Sequence, residues 1–428
     1  MPEQAARFRD VFAVGEFRVL WIAQTQSRIG DQFARVALAL LVFDRTSSAA
    51  LTALVYASTY LPPLLTAPML AGLADRYSRR TVMWTVEVLR AVLIGLMAIP
   101  AVPLPVLALL VVAVSCPDPL FSAARIATLP RVLPGGRYQV GMSISSSTDG
   151  IAQIVGFALG GVIVASTGSP HLVLALDAAS FLVSAVLLRW GLRPHLPEPE
   201  SAGTDSRASG FALAGIRLVA GNRSLMGLAA LVWMFGFFVV PEAMAAPYAA
   251  EIGEGEAVVG VLMAADVVGM VVGALLVARL GTALRRRLTV PLAFAAGLPL
   301  AATVIAPNVP VTVGLWALSG LLSGYLVLAQ VRFVQLVPDG MRARAVGFAA
   351  AGLQTAQGLG MVTAGMVAEA MSPSAAIAVC GAAGSLGAVV IGLAFGLAGA
   401  DEPQTSERSL ELTGDRTEPN RTVREGEP

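Results

Sequence analysis

The sequence predicts an all-α integral membrane protein of twelve transmembrane helices, arranged as two six-helix bundles with cytoplasmic N- and C-termini. Three observations predict this. The 428 residues are 56% hydrophobic and 13% charged, with mean hydropathy +0.74, whereas a soluble chain carries about 25% charged residues. Twelve stretches approach the ~20 apolar residues that a helix needs to cross the hydrocarbon. The arginines also gather beside alternate turns, as the positive-inside rule requires of cytoplasmic segments.

In the first half the spans are expected at 17–43, 49–74, 81–101, 104–125, 139–166 and 170–190. In the second they are expected at 222–248, 256–279, 288–306, 310–333, 343–369 and 373–399. Several contain Pro and Gly, which membrane helices tolerate because neighbours re-satisfy freed backbone groups. Residues 1–190 form the N-terminal six-helix bundle. A segment rich in Pro, Glu, Ser and Gly at 191–215 reads as a cytoplasmic linker, and 216–400 form the C-terminal bundle. The 401–428 tail alternates acids with Arg, Ser, Thr and Pro; it cannot bury enough apolar surface to fold alone and is expected to be a disordered cytoplasmic tail.

All 29 basic residues are arginine. With the N-terminus inside, they fall in cytoplasmic segments or at their helix ends, except Arg28, Arg35 and Arg90 within spans and Arg45 outside. The expected external turns carry acids instead: Asp44, Glu251, Glu254, Glu256 and Glu369. Orientation therefore follows from charge asymmetry, while the net charge of +1 is uninformative about partners. Cys116 and Cys380 lie in apolar runs far apart, a pattern of neither a disulfide framework nor a metal site.

The turn between spans 2 and 3 reads Ala71-Gly72-Leu73-Ala74-Asp75-Arg76-Tyr77-Ser78-Arg79-Arg80. This stretch resembles the loop between helices 2 and 3 of the major facilitator superfamily (MFS), roughly Gly-x-Leu-Ala-Asp-Arg-x-Gly-Arg-Arg, with Ala71 and Ser78 replacing its glycines. Further features resemble the drug, macrolide and siderophore exporter branch, which includes enterobactin exporters. They are Phe17-Arg18-x-Leu20-Trp21, Gln24, Ser27 and Gly30-Asp31 in span 1, Leu61-Pro62 in span 2, and Phe181-Leu182-Val183-Ser184 in span 6. Gly156, Gly160 and Gly161 in span 5 match the glycines of an exporter motif whose proline is here Phe157. The same glycines also suit close helix packing. The halves echo one another around Arg125 to Gly141 and Arg332 to Gly347, as parallel MFS repeats do.

Seven acids fall inside the expected spans: Asp31, Glu87, Asp118, Asp149, Asp177, Glu242 and Asp266. A charge at bilayer depth costs about 2.5–3.5 kcal/mol on insertion scales, so each is a functional candidate. Glu87 and Arg90, three apart on one helix face, read as a structural pair. Asp118, between Pro117 and Pro119, is expected to bond freed backbone. The resemblance makes span 6 peripheral, so Asp177 is assigned to packing. It places Asp149, Asp266 and Glu242 on helices beside or lining the cavity, as proton-coupling candidates. Asp31 is the first choice: Arg28 and Arg35, at i−3 and i+4, share its side of span 1. Two cations favour its ionised form and burial its neutral form. The alternative is a static Arg–Asp–Arg ladder.

Gln24 and Gln330 offer neutral hydrogen-bond groups, and Trp233, Phe237 and Tyr325 aromatic surface, for a cavity suited to a bulky amphiphile. The same aromatics suit lipid contact. Asp75, Arg76, Arg79 and Arg80 are expected to form a gating loop. No P-loop is present and nothing suggests an enzyme, a cofactor, a metal or nucleic acid. The resemblance implies a monomeric secondary transporter of the plasma (inner) membrane. Its partners would be protons, lipid and a small molecule, moved outward by proton antiport. A proton-linked importer of a polar nutrient and a non-transporting sensor or scaffold are the alternatives.

Overall fold

The computed structural model describes residues 7–66, 77–194, 208–305 and 307–397. Asp75 and Arg76 of the expected gating loop, most of the expected linker and the 401–428 tail lie outside the described residues. Every described element is helical.

Among the described residues, eight helices are long and apolar enough to span a bilayer: Ala49–Thr66, Leu104–Val132, Gly136–Thr167, Pro170–Gly191, Arg223–Glu251, Glu256–Ala278, Val309–Leu336 and Pro373–Ala394. The other four expected spans coincide with helices Gly15–Thr46, Arg79–Met97, Thr282–Ala302 and Arg342–Ala370. Charged and amide side chains make these more polar; helix 15–46 alone carries Arg18, Arg28, Asp31 and Arg35.

Local chemistry sets where these helices start and bend. Ser48, Ser78, Ser169, Asn222, Asn308 and Ser372 each cap a helix by accepting from the backbone N–H three residues on, satisfying a donor the first turn leaves free. Four spans are interrupted near mid-length: at Ser58–Tyr60, at Cys116–Pro117, at Met234 and Val239, and at Ser323–Gly324. Pro62, Pro117 and Pro241 lie at or just after three of these breaks and lack the N–H that would continue the ladder.

Helix 15–46 packs along helices 136–167 and 170–191, and helix 256–278 along helix 309–322. The most extensive contacts joining the sequence halves are helix 136–167 with 256–278, and helix 49–57 with 342–370. Glycine permits the first. A Cβ on Gly156 would stand 2.9 Å from the Ile29 carbonyl, and one on Gly160 would stand 3.2 Å from the Phe33 Cα, both on helix 15–46. A Cβ on Gly161 would stand 2.8 Å from the Gly260 nitrogen, on helix 256–278. Helix 136–167 is thus pressed between two neighbours.

The two ends of the molecule differ. At one, which carries Glu251 and Glu369, the halves meet. The Glu369 carboxylate accepts from the Ser48 hydroxyl and from the Ala50 N–H (3.3 Å), bridging helix 342–370 to the start of helix 49–57. Glu251 accepts from the Ser374 N–H (2.7 Å) and hydroxyl (2.6 Å), a tie within the second half. At the other, arginines tie turns within each half: Arg79 to the Ala127 carbonyl (2.5 Å), Arg80 to that of Leu192 (3.2 Å), and Arg223 Nε to that of Ala394 (3.2 Å). There helix 118–132 packs on 15–46, 79–97 and 136–167, and helix 325–336 packs on 223–233, 256–278 and 282–302.

Candidate functional site

Helix 15–46 brings Gln24, Ser27, Arg28, Asp31 and Arg35 to one side at spacings of three and four residues, one helical face. This face borders two adjoining clefts open to solvent, with room of about 30 and 90 Å³. Both are lined by Arg28, Asp31, Arg90 and Asp118; Glu87 joins the smaller, Arg35 and Asp177 the larger. Met97, Val111 and Val114 give the larger one an apolar wall.

Two ion clusters flank this space. In the first, Arg28 lies 4.0 Å from Asp31 and 3.9 Å from Asp149 of helix 136–167. Gln24 donates to Asp149 (3.1 Å) and accepts from Arg125 (2.7 Å), so helices 15–46, 118–132 and 136–167 are linked through one amide. In the second, Arg90 contacts Asp118 and lies 3.8 Å from Glu87. Ser27 donates to Glu87 at 3.4 Å. Arg90 also sits over Phe121 (5.5 Å) and Phe181 (5.6 Å). Asp118 therefore pairs with a guanidinium and not, as its flanking prolines suggest, with freed backbone. Glu87 and Arg90 stand as a buried pair, 1% and 9% exposed at the side chain.

The arginines beside Asp31 part company. Arg28 stays with Asp31, while Arg35 donates to the Tyr60 hydroxyl (3.3 Å) and stacks over Tyr56 (5.9 Å) and Tyr60 (5.6 Å). Tyr56 in turn donates to Glu242 on helix 240–251 at 2.9 Å. A polar bridge thus runs from the first sequence half to the second, through a pair of tyrosines that sequence reasoning passed over. Their signal was present: two phenols four residues apart in an apolar span need partners for their hydroxyls.

Asp177 stands where packing alone was expected, fully buried beside Gly30. One oxygen accepts from Ser180 (3.2 Å) and the other has no hydrogen-bond partner among the described residues. Asp266, 3% exposed, has no hydrogen bond or ion pair among the described residues, and Glu242 is the ionisable group that acts on it electrostatically. Trp233 donates to the Ala349 carbonyl (3.0 Å) and meets Phe348 edge-on, so it packs on helix 342–370. Phe237 packs toward Gly384 of helix 373–394. Tyr325 is buried edge-on to Phe238 at 6.1 Å, its hydroxyl without a hydrogen-bond partner among the described residues. Gln330 is exposed, in the wall of a separate apolar cavity of about 210 Å³ with Val232, Phe333 and Leu353.

Comparison with known proteins agrees with this architecture. A family described as transmembrane secretion effector matches residues 10–416. An uncharacterised MFS-type transporter of Bacillus subtilis (strain 168), YfiS, is 34% identical over 170 residues, spanning 40% of each chain. A bacterial homologue of the human lysosomal transporter Spinster, in an inward-facing and unoccupied conformation, superposes with TM-score 0.66 at 15% identity, covering 95% of this chain and 98% of its own. The nucleoside transporter NupG does so with TM-score 0.65 at 15% identity, covering 90% and 100%. At such identities these two structures share the fold alone.

Proposed function

The chain belongs to the transmembrane secretion effector family of major facilitator transporters, and from that premise we propose that it exports amphiphilic small molecules by proton antiport. Twelve spans in two six-helix bundles rock about a central site in the plasma membrane, the usual cycle of such transporters. The arginine end faces the cytoplasm, by the positive-inside rule. The conformer described is then the inward-open one, with its outer end packed shut. The protein acts as a monomer with both termini inside.

The observation that carries the reading is the split environment of Asp31. Its side chain is 26% exposed in a cleft, and Arg28, 4.0 Å away, is shared with Asp149. The other arginine on its helix is committed to the tyrosine bridge toward Glu242. Arg28 is thus a shared counter-ion, and a relative movement of the halves would change which carboxylate it serves. Rocking of the halves breaks or remakes the Tyr56–Glu242 bond and frees or engages Arg35. Proton uptake at Asp31, with Glu242 as the second carrier, is thereby tied to which side is open. Asp149 and Asp266 are the remaining acids available to the relay.

The test is substrate-induced proton flux in proteoliposomes. Asp31→Asn is expected to abolish accumulation driven by a pH gradient while retaining substrate binding, and Asp31→Glu to keep part of it. Wild-type proton flux in Asp31→Asn would exclude Asp31 from coupling.

A further inference from the structure

At the arginine end, helices 79–97 and 170–191 pack against one another and carry a surface that transport leaves unused. Arg189, near the end of helix 170–191, stacks its guanidinium 4.8 Å over the ring of Trp84, near the start of helix 79–97. Stacking occupies the face of a guanidinium and leaves its N–H edge open, the fork that matches two phosphate oxygens. Among the described residues that edge meets no hydrogen-bond or ion-pair partner. Arg80, one turn before Trp84 on the same helix face, donates to the Leu192 carbonyl at 3.2 Å. Its buried Nε has no hydrogen-bond partner among the described residues. Glu16, the acid at this corner, is taken by Arg193 at 3.5 Å. Two guanidiniums therefore stand here without a carboxylate among the described residues. Trp190 beside them is 78% exposed. Deeper along the same two helices, Leu89, Val92, Val183 and Val186 are exposed and apolar.

We propose that this corner binds the phosphodiester of an anionic phospholipid. Arg189 and Arg80 hold the phosphate, Trp84 fixes Arg189, and the exposed apolar side chains below take the acyl chains. The site goes beyond the exporter reading and needs only that the chain lies in a bilayer with this end among the headgroups. Indole rings favour that depth, and basic pockets between spans on the cytoplasmic side suit anionic headgroups. The phosphate is a lipid's and not a soluble ester's, because a soluble ester would leave the apolar side chains below it uncovered. A headgroup held here joins the ends of two helices of the first half.

The test titrates the full chain, in an uncharged detergent, with phosphatidylglycerol or phosphatidylcholine of the same acyl chains, and counts bound lipid by native mass spectrometry. Phosphatidylglycerol is expected to be retained at lower concentration; equal retention of the two lipids overturns the proposal. Arg189→Gln is expected to weaken phosphatidylglycerol binding by about tenfold or more, the range for losing a hydrogen bond to a charged group. Arg287→Gln, at an exposed arginine near the start of helix 282–302, is expected to leave it unchanged. Equal losses in these two variants would mean general attraction to the arginine end, and would overturn the site. Trp84→Leu keeps both arginines, removes the platform and is expected to weaken binding as well. Arg189 is exposed, so its substitution decides the matter even if Trp84→Leu fails to fold, and wild-type affinity in Arg189→Gln overturns the assignment. Soluble glycerophosphoglycerol, added at the lipid's concentration, is expected not to displace it; displacement would mark a site for a free phosphodiester and overturn the lipid. No transport is measured, so the outcome bears on this site and not on the exporter reading.

Discussion

Tyr56 shows how a single hydroxyl connects the halves of this molecule. It is 2% exposed, stacked against Tyr60 and under Arg35, and its proton goes to Glu242. A hydrogen bond to a charged group contributes about 1.5–3 kcal/mol, and leaving a buried acceptor unpaired adds a desolvation cost. Tyr56→Phe removes the bond and keeps the ring. It is expected to lower the thermal unfolding temperature in detergent and to slow turnover, with a smaller loss when Glu242→Gln is already present. A double-mutant cycle on unfolding temperature checks this; strict additivity would mean that Tyr56 and Glu242 are not coupled. Tyr56 was legible in the sequence only as an apolar-span aromatic. Its role depends on Glu242, 186 positions away.

At the scale of the element, helix 136–167 shows what small residues do in a membrane. Helices gain little from the hydrophobic effect when lipid surrounds them, so close backbone approach and van der Waals contact hold them together. Gly161 faces the Gly260 backbone with no room for a methyl group, whereas Gly314 on helix 309–322 has nothing within 4 Å of where a Cβ would stand. Gly161→Ala is expected to destabilise by about 1–3 kcal/mol through overpacking. Gly314→Ala is expected to be neutral or to stabilise by up to about 1 kcal/mol through helix propensity. Thermal unfolding of the two variants side by side checks the contrast; equal effects would show that Gly161 is not a contact residue. The glycine spacing was visible in the sequence. That Gly156 and Gly160 face helix 15–46 while Gly161 faces helix 256–278 was not, because one helix has several faces and pattern does not say what meets each.

At the scale of the whole molecule, the two ends are held by different devices. Glu369 accepts from Ser48 and Ala50 and so ties the halves where they are packed. An anion at the N-terminus of helix 49–57 is further favoured by the helix dipole. Glu369→Gln weakens that tie without changing its shape. It is expected to shift the population toward the conformer open at the Glu369 end, read as increased labelling of a cysteine placed beside Ser48. Asp75→Asn, in the turn that resembles the MFS loop, is expected to do the reverse and favour opening at the arginine end. If both variants shift labelling in the same direction, Glu369 and Asp75 do not act as opposing gates.

By itself, the sequence determined that the chain is an all-helical membrane protein of the major facilitator type. Composition, the length of apolar runs and the placement of arginines are local properties that a bilayer reads directly, and the Leu73 to Arg80 turn carries the family pattern in one stretch. It also marked Asp31, Arg28 and Arg35 as one helix face. Only the tertiary structure decided how those charges are shared. Arg35 left Asp31 for a tyrosine on the next helix, Arg90 took Asp118, and Asp177 came to the cavity wall beside Gly30. Electrostatic partnership falls off within a few ångströms, and residues that close in space here lie up to 321 positions apart in the chain. The physical reason is that spacing along one helix fixes a face, while the partner of a buried charge is chosen by whichever other helix packs against that face.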